Sequence, residues 1–322
     1  MYKVVCVGTF HQKGLDLLAS RPDLLAFEVL ADPSPENIAR SVAGADAIIV
    51  RTSPLPKETL ALAPNLKIVS RHGVGTDNVD VAHLSSRKIP MAIAIDSNVG
   101  SVAEHTLMML LALAKDARAG DRATREGAFG WRDRRTASDV AGKTALVLGF
   151  GRIGQRVAAL CRAFDMRVLA FDPYVAESPV PGVEMARDFR ERLPETDFLC
   201  LHLPSTPETA RMVGAPELAR LKRGAFVINC ARGGIVDEEV LCDALESGHL
   251  GGAGLDVFAK EPPVVTDRLF RQEKVLFSPH NAALTEECAV RMATQAVRNV
   301  IDCLEGRLQP RVVMNRREIG LA

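Results

Sequence analysis

The sequence predicts an α/β protein built from two doubly wound parallel-sheet domains. Three observations predict it. Short apolar runs alternate with helical patterns through residues 1–97, the alternation begins afresh at Lys143, and 322 residues exceed what one hydrophobic core usually serves.

In the first part, Val4–Val7, Phe27–Leu30, Ala47–Val50, Ile68–Ser70 and Met91–Ile95 read as strands. Between them Gly14–Ala19, Glu36–Ala43, Lys57–Leu62 and Val79–Ser86 read as helices. Ser34-Pro35 has the form of an N-cap followed by proline at the first helical position. Asn98 to Lys115 is apolar nearly all round, so it is a buried helix. It faces either a subunit interface or the interior of its own chain. Gly120–Ser138 is polar and arginine-rich and reads as a loop with a short helix. Strands recur near Ala145–Gly149, Val168–Phe171, Phe198–Leu203, Ala225–Asn229, Ala253–Val257 and Val275–Ser278. Ile153–Phe164, Glu217–Lys222 and Glu238–Leu245 read as helices between them. The last helical pattern, Glu286 to Leu304, is expected to cross back to the first domain.

Hydrophobic residues make up 47% of the chain and charged residues 25%, and the 40 basic residues balance the 40 acidic ones. No overall field attracts nucleic acid or an anionic membrane, so neither is an expected partner. No apolar run is long enough to span a bilayer, and Met1-Tyr-Lys leads straight into a strand rather than a signal-peptide pattern. The seven cysteines are scattered, odd in number and without a CxxC, which suits buried free thiols of a cytoplasmic protein and neither a disulfide frame nor a metal site.

Chemistry is signalled first by Gly149, Gly151 and Gly154, placed between an apolar strand and a helix, with Asp172 at the end of the next apolar run. In that context GxGxxG reads as the Rossmann dinucleotide turn. The first glycine permits the tight turn, the second admits backbone to the pyrophosphate, and the third lets the helix lie close on its strand. The helix then offers free N–H groups and its positive dipole end. Asp172 would accept hydrogen bonds from both hydroxyls of an adenine ribose and repel a 2′-phosphate, so NAD is preferred to NADP.

Three further groups stand at the ends of late strands, where open α/β sheets bind ligands. Arg232 precedes a Gly-Gly turn in Asn229–Asp237; it either holds a carboxylate bidentately or is a surface arginine. Asp256 ends a strand, and Glu261 follows in a proline-braced loop; the alternative is a solvated acid pair. His280 follows Pro279 at another strand end. A lone histidine is more often structural, but Glu261 and Arg232 are candidate companions, and a carboxylate beside an imidazole orients the ring and favours its charged form.

Together these residues resemble the D-isomer-specific 2-hydroxyacid dehydrogenase family, in its phosphoglycerate dehydrogenase-like branch. The resemblance runs through Val50-Arg51-Thr52, Gly73–Asp80, Asn98 with Ser101–His105, Gly142-Lys143-Thr144, Gly149–Gly154, Asn229–Asp237, Gly254–Glu261 and Ser278–His280. It implies a Rossmann NAD-binding domain, residues 98–284, inserted in a split flavodoxin-like substrate domain of residues 1–97 and 285–322. It also implies a homodimer built largely on the cofactor domain. Arg232, Glu261 and His280 are the implied catalytic residues. The expected cofactor contacts are Gly149, Gly151, Arg152, Ile153, Gly154, Asp172, Cys230, Ala231 and Asp256, the last at the nicotinamide carboxamide. Backbone at Val74 and Gly75 would grip the substrate carboxylate, with Arg51, Arg71 and Asn98 as further substrate-binding candidates.

The implied reaction is hydride transfer between NAD and a D-2-hydroxy acid/2-oxo acid pair, such as 3-phosphoglycerate, hydroxypyruvate or glyoxylate. Arg51 and Arg71, with His72 beside them, could pair with a second substrate anion such as phosphate, and Arg134 and Arg135 offer a further basic pair. Asp133 stands where some phosphoglycerate dehydrogenases resemble a basic residue. Glu261 occupies a place where formate dehydrogenases resemble a glutamine. The short stretch after the last helix suggests no carboxy-terminal regulatory domain, and hence no feedback control by serine through one. The alternative from another class is a non-catalytic, NAD-sensing interaction protein, corepressor-like, on the same scaffold.

Overall fold

The computed structural model describes residues 1–134 and 136–321. The chain divides into two compact units, one formed by Met1–Asn98 with the segment from Leu284 onward, the other by Val99–Ala283.

In the first unit, β1 (Tyr2–Val7), β2 (Leu25–Leu30), β3 (Ala47–Val50), β4 (Ile68–Arg71) and β5 (Met91–Ile93) pair in parallel in the order β2-β1-β3-β4-β5. This is the flavodoxin-like order, whose reversal lies between β1 and β3. The connecting helices are α1 (Gln12–Ala19), α2 (Pro35–Val42), α3 (Lys57–Ala61) and α4 (Val81–Ser86). All four residues of β3 are fully buried because apolar clusters cover both sheet faces, and this explains its unbroken apolar run. Ser34 stands at the N-cap of α2 with Pro35 inside it, but its side chain makes no capping hydrogen bond.

The second unit opens with α5 (Val99–Ala114) and α6 (Ala117–Arg125). The arginine-rich stretch is thus more helical than expected: α6 begins before Gly120, and a 3-10 turn follows at Phe129–Arg134. Only Ala123 of α6 is buried, so no apolar stripe announced it. The sheet consists of β6 (Thr144–Leu148), β7 (Arg167–Phe171), β8 (Val183–Met185), β9 (Phe198–Leu201), β10 (Phe226–Asn229), β11 (Gly252–Leu255) and β12 (Val275–Phe277). Their order is β12-β11-β10-β9-β6-β7-β8, every pairing parallel. Here the order reverses between β6 and β9, the switch point of a Rossmann sheet. Strand β8 was not foreseen: it is a three-residue edge strand without a buried residue. The helices α7 (Arg152–Ala163), α8 (Ala215–Arg220) and α9 (Glu238–Glu246) complete this unit.

The chain then returns to the first unit through α10 (Glu286–Leu304) and α11 (Arg316–Ile319). Polar bonds fix the return: Ser70 Oγ donates to the Ala296 carbonyl, and Asn299 Nδ2 to that of Ile93. Asn315 accepts from the Met91 N–H and donates to the Ile89 carbonyl. Among the described residues no helix is long and apolar enough to cross a membrane.

Two buried histidines make a stability test. Burial above all, with Arg51 and Arg71 adding, pushes the His72 ring down to about 4; burial alone does the same to His202. None of these ring nitrogens has a hydrogen-bond partner among the described residues. Unfolded, each ring protonates near its ordinary 6.5, so between 6.5 and 4 the unfolded chain binds more protons. Stability is therefore expected to fall as pH drops from 6.5 toward 4, by at most about 1.4 kcal/mol per pH unit per ring. Below that window these rings cost nothing further. Thermal melts across pH 4–7 of the protein and of His202→Leu check this; the variant should lose less on acidification, and parallel profiles would contradict the assignment.

Candidate active site

The glycine turn follows β6 at the switch point. Gly149 has φ +87°, and a Cβ there would lie 2.5 Å from the His202 carbonyl oxygen at the end of β9. A Cβ on Gly154 would lie 2.0 Å from the Gly149 oxygen, so only glycine lets α7 sit this close to its strand. Nothing stands within 4 Å of the Cβ position at Gly151, which is the N-cap of α7 and supplies no side-chain cap. Backbone is tight where the turn must close and open where an anion would approach. These residues therefore fit a dinucleotide pyrophosphate. Arg152, exposed, and Ile153, half-buried, form the first turn of α7.

Asp172 follows β7. Its carboxylate accepts hydrogen bonds from the Phe150 N–H at 2.8 Å and the Tyr174 N–H at 2.9 Å. It thus ties the glycine turn to the neighbouring strand, and each oxygen keeps a lone pair for a ribose hydroxyl.

Arg232, Glu261 and His280 follow β10, β11 and β12, three adjacent strands. Glu261 and His280 are in contact: Oε2 lies 2.7 Å from Nδ1, while the other carboxylate oxygen accepts the Phe258 N–H at 3.0 Å. With Nδ1 engaged, Nε2 is the ring nitrogen left for chemistry. The imidazole is half exposed, and a cavity of about 380 Å³ walled by Phe258, Phe270, Phe277 and three prolines opens beside the pair. The Arg232 loop packs on the same segment: a Cβ on Gly233 would fall 1.8 Å from the Phe258 oxygen. Asn229, whose role spacing did not reveal, donates to the Arg232 carbonyl and accepts from the Ala231 N–H. Glu238 braces the neighbouring loop by accepting the Ala259 N–H, and burial holds its carboxyl above the usual range. Cys230 lies in the core, its thiol pushed up to about 12 by burial, so at this position only backbone is offered to a ligand; Ala231 is buried beside it.

Asp256 follows β11 and points into the fold. It is 1% exposed, and its carboxylate accepts from Ser278 Oγ, the Asn281 N–H and the Ala282 N–H. Its observed work is to hold the turn that carries His280. Ser278 and His105, neither foreseen in this role, complete that contact.

In the first unit the basic candidates collect at the carboxyl ends of β3 and β4. Arg51 Nη1 donates to Thr9 Oγ1 at 3.1 Å. Arg71 turns back on its own loop, donating to Asn78 Oδ1 and to the His72 carbonyl. The N–H groups of Val74 and Gly75 have no protein acceptor among the described residues, as a carboxylate clamp requires. Asn98 Oδ1 is buried without a hydrogen-bond partner among the described residues. Arg134 lies over the Trp131 ring, 4.4 Å from its centroid; Arg135 falls outside the described residues.

Comparison with known proteins identifies the family. Residues 107–282 match the family model described as the D-isomer specific 2-hydroxyacid dehydrogenase NAD binding domain. The D-3-phosphoglycerate dehydrogenase of Mycobacterium leprae is 43% identical over 87% of this chain, which spans 53% of that relative's length. The chain thus covers about half of the phosphoglycerate dehydrogenases it matches. The glyoxylate reductase of Korarchaeum cryptofilum is 35% identical over 97% of this chain and 95% of its own. Among solved structures, the TT0316 protein of Thermus thermophilus superposes with a TM-score of 0.86 at 32% identity, covering 97% of this chain and 99% of that one. The NAD-dependent formate dehydrogenase of Staphylococcus aureus, solved with NAD, gives 0.85 at 27% identity, covering 97% and 98%. The dehydrogenase and reductase names of these relatives leave the non-catalytic alternative without support.

Proposed function

Because the chain belongs to the D-isomer specific 2-hydroxyacid dehydrogenase family, we propose that it is an NAD-dependent oxidoreductase acting on a D-2-hydroxy acid/2-oxo acid pair. The observation that carries this is the 2.7 Å contact between His280 and Glu261 beside a loop that bears Arg232. Bound NAD supplies the hydride acceptor for the hydrogen on substrate C2, and the hydride donor in reverse. His280 takes the hydroxyl proton on Nε2, and returns it when the oxo acid is reduced. Glu261 on Nδ1 keeps the ring oriented and balances the imidazolium that forms. Arg232 binds the substrate carboxylate and polarises the C2 oxygen. The Val74 and Gly75 N–H groups and Asn98 are assigned to the substrate in the first unit, and Asp172 to the adenine ribose in the second.

Arg51 and Arg71 support a substrate anionic at its far end, which admits 3-phosphoglycerate as well as the smaller hydroxypyruvate and glyoxylate. The test is NADH oxidation across glyoxylate, hydroxypyruvate, phosphohydroxypyruvate and branched or aromatic 2-oxo acids. Turnover of at least one, yielding the D-hydroxy acid, is expected; none across the panel would overturn the function. Asp172→Ala is expected to weaken NADH binding by about 10–100-fold, the value of charge-assisted hydrogen bonds, and NADPH binding less. Equal losses in fluorescence titrations would mean that Asp172 serves only its turn.

A homodimer is supported by α5, whose outer face leaves Leu107, Met108, Leu111 and Ala112 partly exposed, Met108 by 46%. A cytoplasmic location is supported by the seven cysteines, six of which are buried in the core rather than arranged as a disulfide frame.

A further inference from the structure

We propose that His105 is a positioning residue for this reaction, acting through Ser278 and Asp256 to hold the turn that presents His280. The inference rests on the assignment of His280 as general base. His280 has φ +50°, a left-handed conformation that is costly for a non-glycine residue and persists only where its surroundings impose it. It also follows β12, a three-residue edge strand paired on one side only, so the sheet itself gives this turn little support.

The missing support comes from side chains. Asp256, at the end of β11, receives the N–H groups of Asn281 at 2.9 Å and Ala282 at 3.0 Å, the two residues after His280. Ser278, two residues before it, donates its hydroxyl proton to Asp256 Oδ1 at 2.5 Å. Both flanks of His280 therefore hang on one carboxylate. Ser278 has a single proton and spends it on Asp256, so at 2.9 Å its oxygen accepts from His105 Nε2–H. That fixes the His105 tautomer and extends the linkage to α5.

Helix α5 is a firm anchor. A Cβ on Gly254 of β11 would lie 3.0 Å from Met109 Sδ, so helix and sheet touch with only a glycine between them. His105 stands one turn earlier on α5, and Thr106 beside it is fully buried. The rigidity of the helix–sheet contact is thus passed by imidazole, hydroxyl and carboxylate to the turn that the edge strand cannot hold.

The test combines a double-mutant cycle with imidazole NMR. His105→Ala is expected to lower kcat by about 10–100-fold, as a small displacement of a catalytic group does, with the NADH Kd changed less than about 3-fold. His105→Gln, which keeps an N–H donor, should recover most of that loss. In a His280→Ala background, His105→Ala should cost nothing more, because its effect runs through the missing ring. An equal loss in both backgrounds, or a loss of NADH affinity as large as that of kcat, would overturn the proposal. Should His105→Ala fail to fold, Ser278→Ala takes its place in the same cycle. Independently of turnover, nitrogen-15 spectra of the histidine rings should show His105 as the Nε2–H tautomer; the Nδ1–H tautomer would overturn the linkage. If no 2-oxo acid is turned over by the unaltered protein, the assigned reaction fails, while the tautomer still decides the linkage.

Discussion

Alanine at position 280 is expected to lower kcat by about 10²–10⁴-fold, the usual worth of a positioned general acid–base. NADH binding should persist, since the glycine turn and Asp172 lie at the ends of other strands. The size of the loss follows from geometry. Nδ1 is bound to Glu261, so Nε2 has one function left, and no other imidazole or carboxylate contacts the His280 ring among the described residues. Added imidazole should restore part of the rate if the cavity beside His280 admits it. Steady-state kinetics with fluorescence titration of NADH measure both halves. Near-normal kcat would remove His280 from the mechanism.

Arg232→Ala is the second large effect, an expected fall in kcat/KM of about 10³-fold. It combines the roughly 10²–10³ lost when an oxyanion donor is removed with a charge-assisted bond to the carboxylate. Both kcat and KM should suffer, because the guanidinium is assigned to the ground-state carboxylate and to the C2 oxygen. Arg232→Lys keeps the charge but not the fork, and should recover only part of the loss. The loop keeps two anchors in either variant, since Asn229 grips the Arg232 carbonyl and Gly233 packs on Phe258, although alanine gives up the side chain's own bond to the Ala231 carbonyl. Unchanged KM with near-normal kcat would show that Arg232 serves neither role.

Much of the fold was legible because the residues that build it carry strong local rules. Ala47–Val50 reads as a two-sided buried strand and is one. Gly149 and Gly154 were readable because no other residue tolerates the turn and the helix–strand approach they allow. Arg232 and His280 were readable as strand-end residues in a sheet whose topology gathers such ends. What stayed hidden depends on contacts that leave no local trace. His105 meets Ser278 across 173 positions, and nothing in the spacing of either predicts it. Asp256 is legible as a strand-end acid, but that its carboxylate accepts two backbone N–H groups is visible only once β11 and β12 lie side by side. Strand β8 and helix α6 bury too little to show an apolar period.

The most direct measurement is a structure with NADH and a non-reacting 2-oxo acid analogue such as oxamate. The expected result places His280 Nε2 within hydrogen-bond distance of the analogue's C2 oxygen, with the Arg232 guanidinium on its carboxylate and Glu261 still on Nδ1. An analogue bound beside the nicotinamide with His280 and Arg232 both out of reach would contradict the account.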